Sequence, residues 1–173
     1  MLFEDETVLR FFPPLRYSWA YQGKQACVSI TGQNAKRVLF GVINFKTGHR
    51  IVLRRYKQQQ QDFQAFLKLL RKRYRNKPLA LLLDKASCHN SPRSQFLAAQ
   101  LGIKLIWLPK QWSELNAMDH LWRELKRNIS SNRQFKTIDE QAGYAEKWVL
   151  GLSKSCALRK AGVLSKNFWL KNV

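Results

Sequence analysis

The sequence predicts an α/β fold in which a sheet of mixed strand direction is flanked by helices. Three observations predict it. The first third is rich in β-compatible runs joined by a tight turn. The run Leu79-Ala80-Leu81-Leu82-Leu83 is short, unbroken and apolar, as expected of a strand covered on both faces. Beyond residue 62, helical periodicity alternates with strands. At 173 residues the chain suits one domain with a sizeable core.

Taken in order, residues 1–9 and 26–31 are short β-compatible stretches, and Val38 to Phe45 is a strong apolar strand. Lys46-Thr47-Gly48 supplies a turn into His49–Tyr56, which reads as its hairpin partner, so this third is mostly antiparallel. From Asp62 onward, Phe63, Phe66, Leu67, Leu70 and Tyr74 recur at helical spacing. Lys and Arg gather in the last turns, where the helix dipole favours cations, and Pro78 follows. The Leu79–Leu83 strand stops abruptly at Asp84. Ser91-Pro92 has the form of a helix cap and a first-turn proline, Gly102 supplies the stop, and Ile103 to Leu108 is another buried strand. A third helix is expected from about Leu115 to Ile129, because Leu115, Met118, Trp122, Leu125 and Ile129 form one apolar stripe. Thr137-x-x-Glu140 is a capping box opening one more helix, with Trp148 and Leu152 among its apolar positions. The final twenty residues are basic and declare no element. No repeat or Gly/Pro/Ser-rich linker divides the chain, and Gln58–Gln61 is the only low-complexity tract.

Charge decides the partner. Thirty-one Lys and Arg against eleven Asp and Glu give a net charge of +20, on a body with 45% apolar residues, ten Phe and six Trp. A disordered basic tail would not carry that apolar content, so the charge decorates a folded unit whose field attracts polyanions. Nucleic acid is the leading partner. No apolar run approaches the roughly 20 residues that cross a bilayer, and the acidic N-terminus is unlike a signal peptide, so a soluble, cytoplasmic chain without a membrane partner is expected. Cys27, Cys88 and Cys156 are odd in number and widely spaced, which suits reduced packing residues better than a disulfide framework or thiolate zinc site. There is no Walker loop and no Gly-x-Ser-x-Gly elbow.

In so basic a chain the few acids are informative. Between Asp62 and Glu114 the only acid is Asp84, at the carboxyl end of the most apolar strand, where ligand sites of open α/β sheets gather. The plainer reading is a turn or capping aspartate. In Glu4-Asp5-Glu6, strand alternation sends Asp5 to one face and its neighbours to the other; the plainer reading is a solvated acidic cluster. Asp119 shares a helix face with Arg123 and Lys126, and an ordinary exposed Asp–Arg pair is its plainer meaning. Brought together, three carboxylates would repel and raise one another's pKa unless a divalent ion neutralised them. Such an oxygen-rich site suits magnesium or manganese, and two ions about 4 Å apart can activate a water and stabilise the leaving oxygen of a phosphodiester.

Several stretches together resemble the catalytic domain of DDE-type transposases of the mariner-like insertion-sequence superfamily. They are Leu2-Phe3-Glu4-Asp5-Glu6-Thr7, Trp19-Ala20 before Gly23-Lys24, Leu83-Asp84-Lys85-Ala86-Ser87-Cys88-His89, and Leu108-Pro109 leading to Glu114-Leu115-Asn116-Ala117-Met118-Asp119-His120-Leu121-Trp122, with 34 residues between Asp84 and Asp119. The resemblance implies a ribonuclease-H-like, integrase-like mixed sheet. It implies that Asp5, Asp84 and Asp119 are the catalytic acids and bind two magnesium or manganese ions. It also implies cleavage of DNA at transposon ends, attack of the freed 3′ hydroxyl on target DNA, a homodimer, and association with the nucleoid in a bacterial host. Three departures stand out. Lys85 replaces the usual asparagine, Ala117-Met118-Asp119 replaces a Pro-Ile-Glu-like stretch, and Lys110-Gln111-Trp112-Ser113 lacks a proline-rich turn. Met1 falls almost at the first strand, so residues 1–173 are expected to be one catalytic domain without the helix-turn-helix region that reads transposon ends.

Other residues have two readings each. Lys85 puts a cation beside a proposed metal ligand, where it weakens metal binding or else contacts a phosphate. His89 is expected to approach a phosphate or the attacking water, or else to fix its loop by a backbone hydrogen bond. Trp112 is a base-stacking residue or a packing aromatic. Arg123, Lys126 and Arg127 are DNA-backbone contacts or a solvated basic face. His120 points about 100° from Asp119 and reads as packing or surface. The rivals to the enzyme are a catalytically weakened DNA-binding or assembly module derived from a transposase, and an unrelated basic RNA-binding protein whose three aspartates would lie far apart.

Overall fold

A computed structural model of the chain describes residues 1–110 and 112–170. β1 (Leu2–Arg10), β2 (Lys36–Asn44) and β3 (Arg50–Arg55) pair antiparallel; β4 (Leu79–Leu83) and β5 (Ile103–Trp107) add in parallel on the other side of β1. The sheet order β3-β2-β1-β4-β5 puts β1 at the centre. This is the mixed sheet expected, with its hairpin half and its crossover half meeting at β1.

Helices cover both faces because the central strands are apolar on both. On one face, α1 (Gln60–Arg73) buries Phe63, Phe66, Leu67 and Leu70 against Leu2, Phe40 and Leu81, and α3 (Pro92–Gln100) adds Ala98. On the other, α4 (Ala117–Leu125) and α5 (Ile138–Gly151) pack Met118, Trp122, Ala142 and Ala145 against Phe3, Leu39 and Ile43. The expected caps are present. The Ser91 hydroxyl accepts from the Ser94 N–H and the Thr137 hydroxyl from the Glu140 N–H, while Asp62 sits one turn inside α1 and accepts from the Gln59 N–H at 3.3 Å.

Four expectations need correction. Residues 26–31 are not a strand. They belong to a largely exposed connection between β1 and β2, closed by the Phe11 N–H donating to the Ala35 carbonyl, and β1 is already paired along both edges. The stripe from Leu115 to Ile129 is not one helix. Leu115 closes a 3₁₀ turn (Ser113–Leu115), Asn116 starts α4 afresh, and residues Lys126–Ser130 form a π-helical turn after it. A short helix, α2 (Ser87–Asn90), follows Asp84, and α6 (Lys154–Lys160) forms in the basic tail, where the Ser153 hydroxyl caps it. Gln111, within the turn that lacks proline, and residues 171–173 lie outside the described residues. Among the described residues no helix is long and apolar enough to cross a membrane.

Candidate active site

Three elements deliver the aspartates to one cleft. Asp5 lies in the middle of β1, Asp84 is the first residue beyond β4, and Asp119 is in the first turn of α4. All three line a cleft of about 440 Å³ together with Lys85, Trp112 and Asn116. What fixes α4 over the sheet is a pair of hydrogen bonds to the backbone of β1. The Asn116 side-chain amide donates to the Glu4 carbonyl at 2.8 Å while its oxygen caps the helix through the Met118 N–H, and the Trp122 indole N–H donates to the Asp5 carbonyl at 3.2 Å. Asn116 is buried, so both ends of its amide are committed.

The electrostatics of the cleft are those of crowded carboxylates. Burial pushes the Asp5 carboxyl well above its usual range, and Glu6, Asp119 and Asp84 push it further. Asp84 goes the other way. A hydrogen bond from His89 holds it below the usual range against the opposing effect of burial, and the Ala86 N–H assists. Asp119 is ion-paired with Arg123, and its Oδ2 is buried without a hydrogen bond.

His89 was expected near a phosphate; the structure places it elsewhere. It is fully buried against the Phe63 ring, so the reading in which it fixes its own loop is the one matched, through an Nδ1 contact to the Asp84 carbonyl at 3.2 Å. Nδ1 also meets Asp84 Oδ1 at 3.0 Å, and Nε2 meets Glu6 Oε1 at 2.7 Å and Glu4 Oε2 at 3.3 Å. Burial opposes a charge on the imidazole. Glu4 and the hydrogen bonds to Asp84, Cys88 and Glu6 outweigh it and hold the pKa far above the ordinary histidine value. Burial likewise drives Glu4 well up despite His89, and neither Glu4 oxygen has a hydrogen-bond partner. The two glutamates that flank Asp5 are therefore not a solvated cluster, as their plainer reading had it. They are buried under α1 and α2, and sequence analysis missed them although alternation had already set them on the face opposite Asp5.

Of the remaining sequence candidates, Lys85 and Trp112 line the cleft, and the Trp112 ring is half exposed. Arg123 does not line the cleft itself but is engaged with two residues that do, Asp119 and Ser113. Lys126 borders a different groove with Val8, Phe12 and Leu15, and Arg127 pairs with Glu124 at 3.0 Å. Neither lines the aspartate cleft. Asn116, which no charge pattern would single out, is the residue that ties the cleft together. Its signal was its place just before the apolar stripe of α4, the N-cap position. Among the described residues, the one trio of potential metal-ligating atoms all within 4.8 Å of one another is Glu6, Cys88 and His89; the aspartates stand around the cleft more loosely.

Comparison with known proteins follows the same lines. The family model described as DDE superfamily endonuclease matches residues 1–141. The insertion element IS630 uncharacterized 39 kDa protein of Shigella sonnei is 28% identical over 140 residues, which is 80% of this chain and 41% of that protein. The uncharacterized protein y4pE/y4sA of Sinorhizobium fredii is 37% identical over 60 residues, 35% of this chain and 42% of that one. Among solved structures, the Mos1 transposase paired-end complex with left transposon end superposes with a TM-score of 0.72 at 15% identity, over 96% of this chain and 52% of that one. The catalytic domain of Mos1 mariner transposase gives 0.66 at 13% identity, over 92% and 74%. These likenesses show a shared ribonuclease-H-like fold. The chain spans less than half the length of the two protein relatives and about half of the Mos1 chain in its paired-end complex.

Proposed function

We propose, from the premise that this chain belongs to the DDE superfamily endonuclease family, that it is the catalytic domain of a DNA transposase that cuts at transposon ends and joins the freed strand to target DNA. One observation carries this reading. Asp5, Asp84 and Asp119, far apart in sequence and delivered by two strands and a helix, line a single cleft in a chain of net charge +20.

The donor set fits magnesium or manganese. Its three carboxylates offer hard oxygen ligands, burial and the neighbouring acids hold Asp5 above its usual pKa, and Asp119 Oδ2 is buried with only Arg123 to satisfy it. Asp5, Asp84 and Asp119 would hold the ions, two in our reading, as the family resemblance implies. Ions bound there would lower the pKa of an attacking water and offset charge on the leaving oxygen. The other groups bind and orient DNA. Lys85 neutralises a backbone phosphate at the cleft mouth, the half-exposed Trp112 ring offers a face for a base, and Arg123, once released from Asp119, is free for a second phosphate. A homodimer acting on transposon ends and target DNA, in the cytoplasm at the nucleoid, completes the reading.

A second reading has its own observation. Lys85 follows Asp84 in the cleft lining and Arg123 is ion-paired with Asp119, so one proposed ligand already has a cation of the chain as its partner. That arrangement would suit a weakened DNA-binding or assembly module. One experiment separates them: purified chain, supercoiled plasmid and manganese. Transposase chemistry predicts nicking by the wild type, none by Asp84→Asn, and salt-sensitive DNA binding by both. Cleavage by Asp84→Asn at the wild-type rate would sink the assignment of Asp84, and binding without cleavage by the wild type would favour the module.

A further inference from the structure

Behind the cleft, on the opposite face of β1, lies a buried polar cluster that the proposed chemistry does not use: Glu4, Glu6, Cys88 and His89. Its spacing is that of a hydrogen-bond network. His89 Nε2 is 2.7 Å from Glu6 Oε1, whereas ligands of one tetrahedral zinc lie roughly 3.3 Å or more apart given bonds of about 2.0–2.3 Å. The Cys88 thiol donates to the same Glu6 oxygen at 3.4 Å, and burial keeps it protonated.

The cluster touches the cleft through one residue, Asp84, whose carbonyl lies 3.2 Å from His89 Nδ1. Asp84 Oδ1 accepts from the Ala86 N–H at 2.9 Å and from His89 Nδ1 at 3.0 Å. Both donors converge on the same oxygen, which leaves Oδ2 as the oxygen available to the cleft. The Ala86 bond alone closes a local turn after β4 and leaves the carboxylate free to swing about its Cβ–Cγ bond. The imidazole removes that freedom, because its far nitrogen is anchored to Glu6 on the central strand and its ring is stacked 4.5 Å from that of Phe63.

We propose that His89 is a positioning residue. Anchored at Nε2 by Glu6, it donates through Nδ1 to Asp84 Oδ1 and thereby aims Oδ2 into the cleft, so that Asp84 holds a divalent cation through one oxygen only. This rests on reading Asp84 as a metal ligand. A hydrogen bond of this kind, behind a ligand, commonly changes metal affinity about 10- to 100-fold when removed.

The two amide replacements of histidine separate positioning from packing. In His89→Asn the amide nitrogen falls near the place of Nδ1 and keeps the bond to Asp84 while losing Glu6. In His89→Gln it falls near Nε2 and keeps Glu6 while losing Asp84. Both lose the ring, and with it the stacking on Phe63. Manganese is titrated into each purified chain and free Mn²⁺ is read by electron paramagnetic resonance, with unfolding midpoints taken alongside so that affinity refers to folded protein. His89→Gln is expected to bind Mn²⁺ about 10- to 100-fold more weakly than wild type, and His89→Asn, which keeps the bond to Asp84 without its anchor on Glu6, to fall between the two. Equal losses in the two variants, or a larger loss in His89→Asn, would overturn the positioning role. Asp84→Asn is the control. If it binds Mn²⁺ as the wild type does, the metal reading itself is gone. If it is crippled while His89→Gln is not, only the positioning role fails.

Discussion

Asp5 keeps its proton above the ordinary carboxylate range because burial and three neighbouring acids all oppose its charge, and this makes stability depend on pH in a definite direction. In the metal-free protein, a raised acid such as Asp5 is protonated when folded and ionised when unfolded over the interval that starts at 3.8. Its contribution is present below that interval and lost as pH rises through it. His89 adds to the same trend above 6.5, since only the folded state retains its proton. Asp84 acts oppositely and only in acid. Its stabilisation is present above 3.8 and lost as pH falls through its lowered pKa. The urea midpoint of the metal-free chain is therefore expected to fall from about pH 5 to about pH 8. Asp5→Asn or added manganese should flatten that fall, and a midpoint that rises over the range would contradict the assignment. How much of this was readable beforehand differs residue by residue. Period-2 alternation separates Asp5 from Glu4 and Glu6, and the single acid after an apolar strand marks Asp84. Nothing local says that Glu4 and Glu6 are buried, because what covers them is Phe63, Cys88 and His89, which reach β1 only through the crossover topology.

At the scale of elements, the cleft depends on how closely α4 can approach the sheet. Gly41 of β2 is the cross-strand partner of Asp5, and a methyl group there would sit 2.6 Å from Met118 Cε and closer still to the Trp122 ring. The strand omits a side chain at the point where the helix carrying Asp119 crosses. Gly41→Ala should therefore cost about 1–3 kcal/mol in unfolding free energy and lift α4, so that manganese affinity falls along with stability. An alanine variant of wild-type stability would show that the approach is not tight. The sequence signalled the helix through its apolar stripe, but the stripe runs on without interruption from Leu115 to Ile129 and hides two breaks. The first is made by Asn116, whose amide is drawn to the Glu4 carbonyl, and the second by the π-helical turn at Lys126–Ser130. Both are settled by contacts and backbone geometry that an apolar period does not encode. The strand assigned to residues 26–31 failed for a related reason: β-compatible residues form a strand only where an unpaired edge is within reach, and β1 offers none.

For the whole molecule, the distribution of eleven acids says more than the excess of bases. Glu4, Asp5, Glu6, Asp84 and Asp119 gather at the cleft and its rear wall. Of the others, Asp62, Glu124, Asp139 and Glu146 are each paired with an arginine, and Glu140 accepts from the Lys136 N–H at the start of α5. Glu114, exposed in the 3₁₀ turn before α4, is the eleventh. Negative charge is thus largely kept where a cation would need it or tied down, and the exterior is positive, as the proposed DNA partner requires. The bases are not equivalent on that exterior. Lys85 lines the cleft, whereas Arg127 is held by Glu124. If the DNA path runs through the cleft, each lysine that neutralises a phosphate releases about one counterion, and log affinity falls with log salt by about 0.9 per contact. Lys85→Ala should then lower the salt slope of duplex binding by about one, while Arg127→Ala, which removes a cation already engaged and leaves Lys160 on Glu124, should change it much less. Fluorescence anisotropy across a salt series measures both. An unchanged slope for Lys85→Ala beside a reduced one for Arg127→Ala would move the DNA off the aspartate cleft and onto the π-helical turn that follows α4, away from these acids.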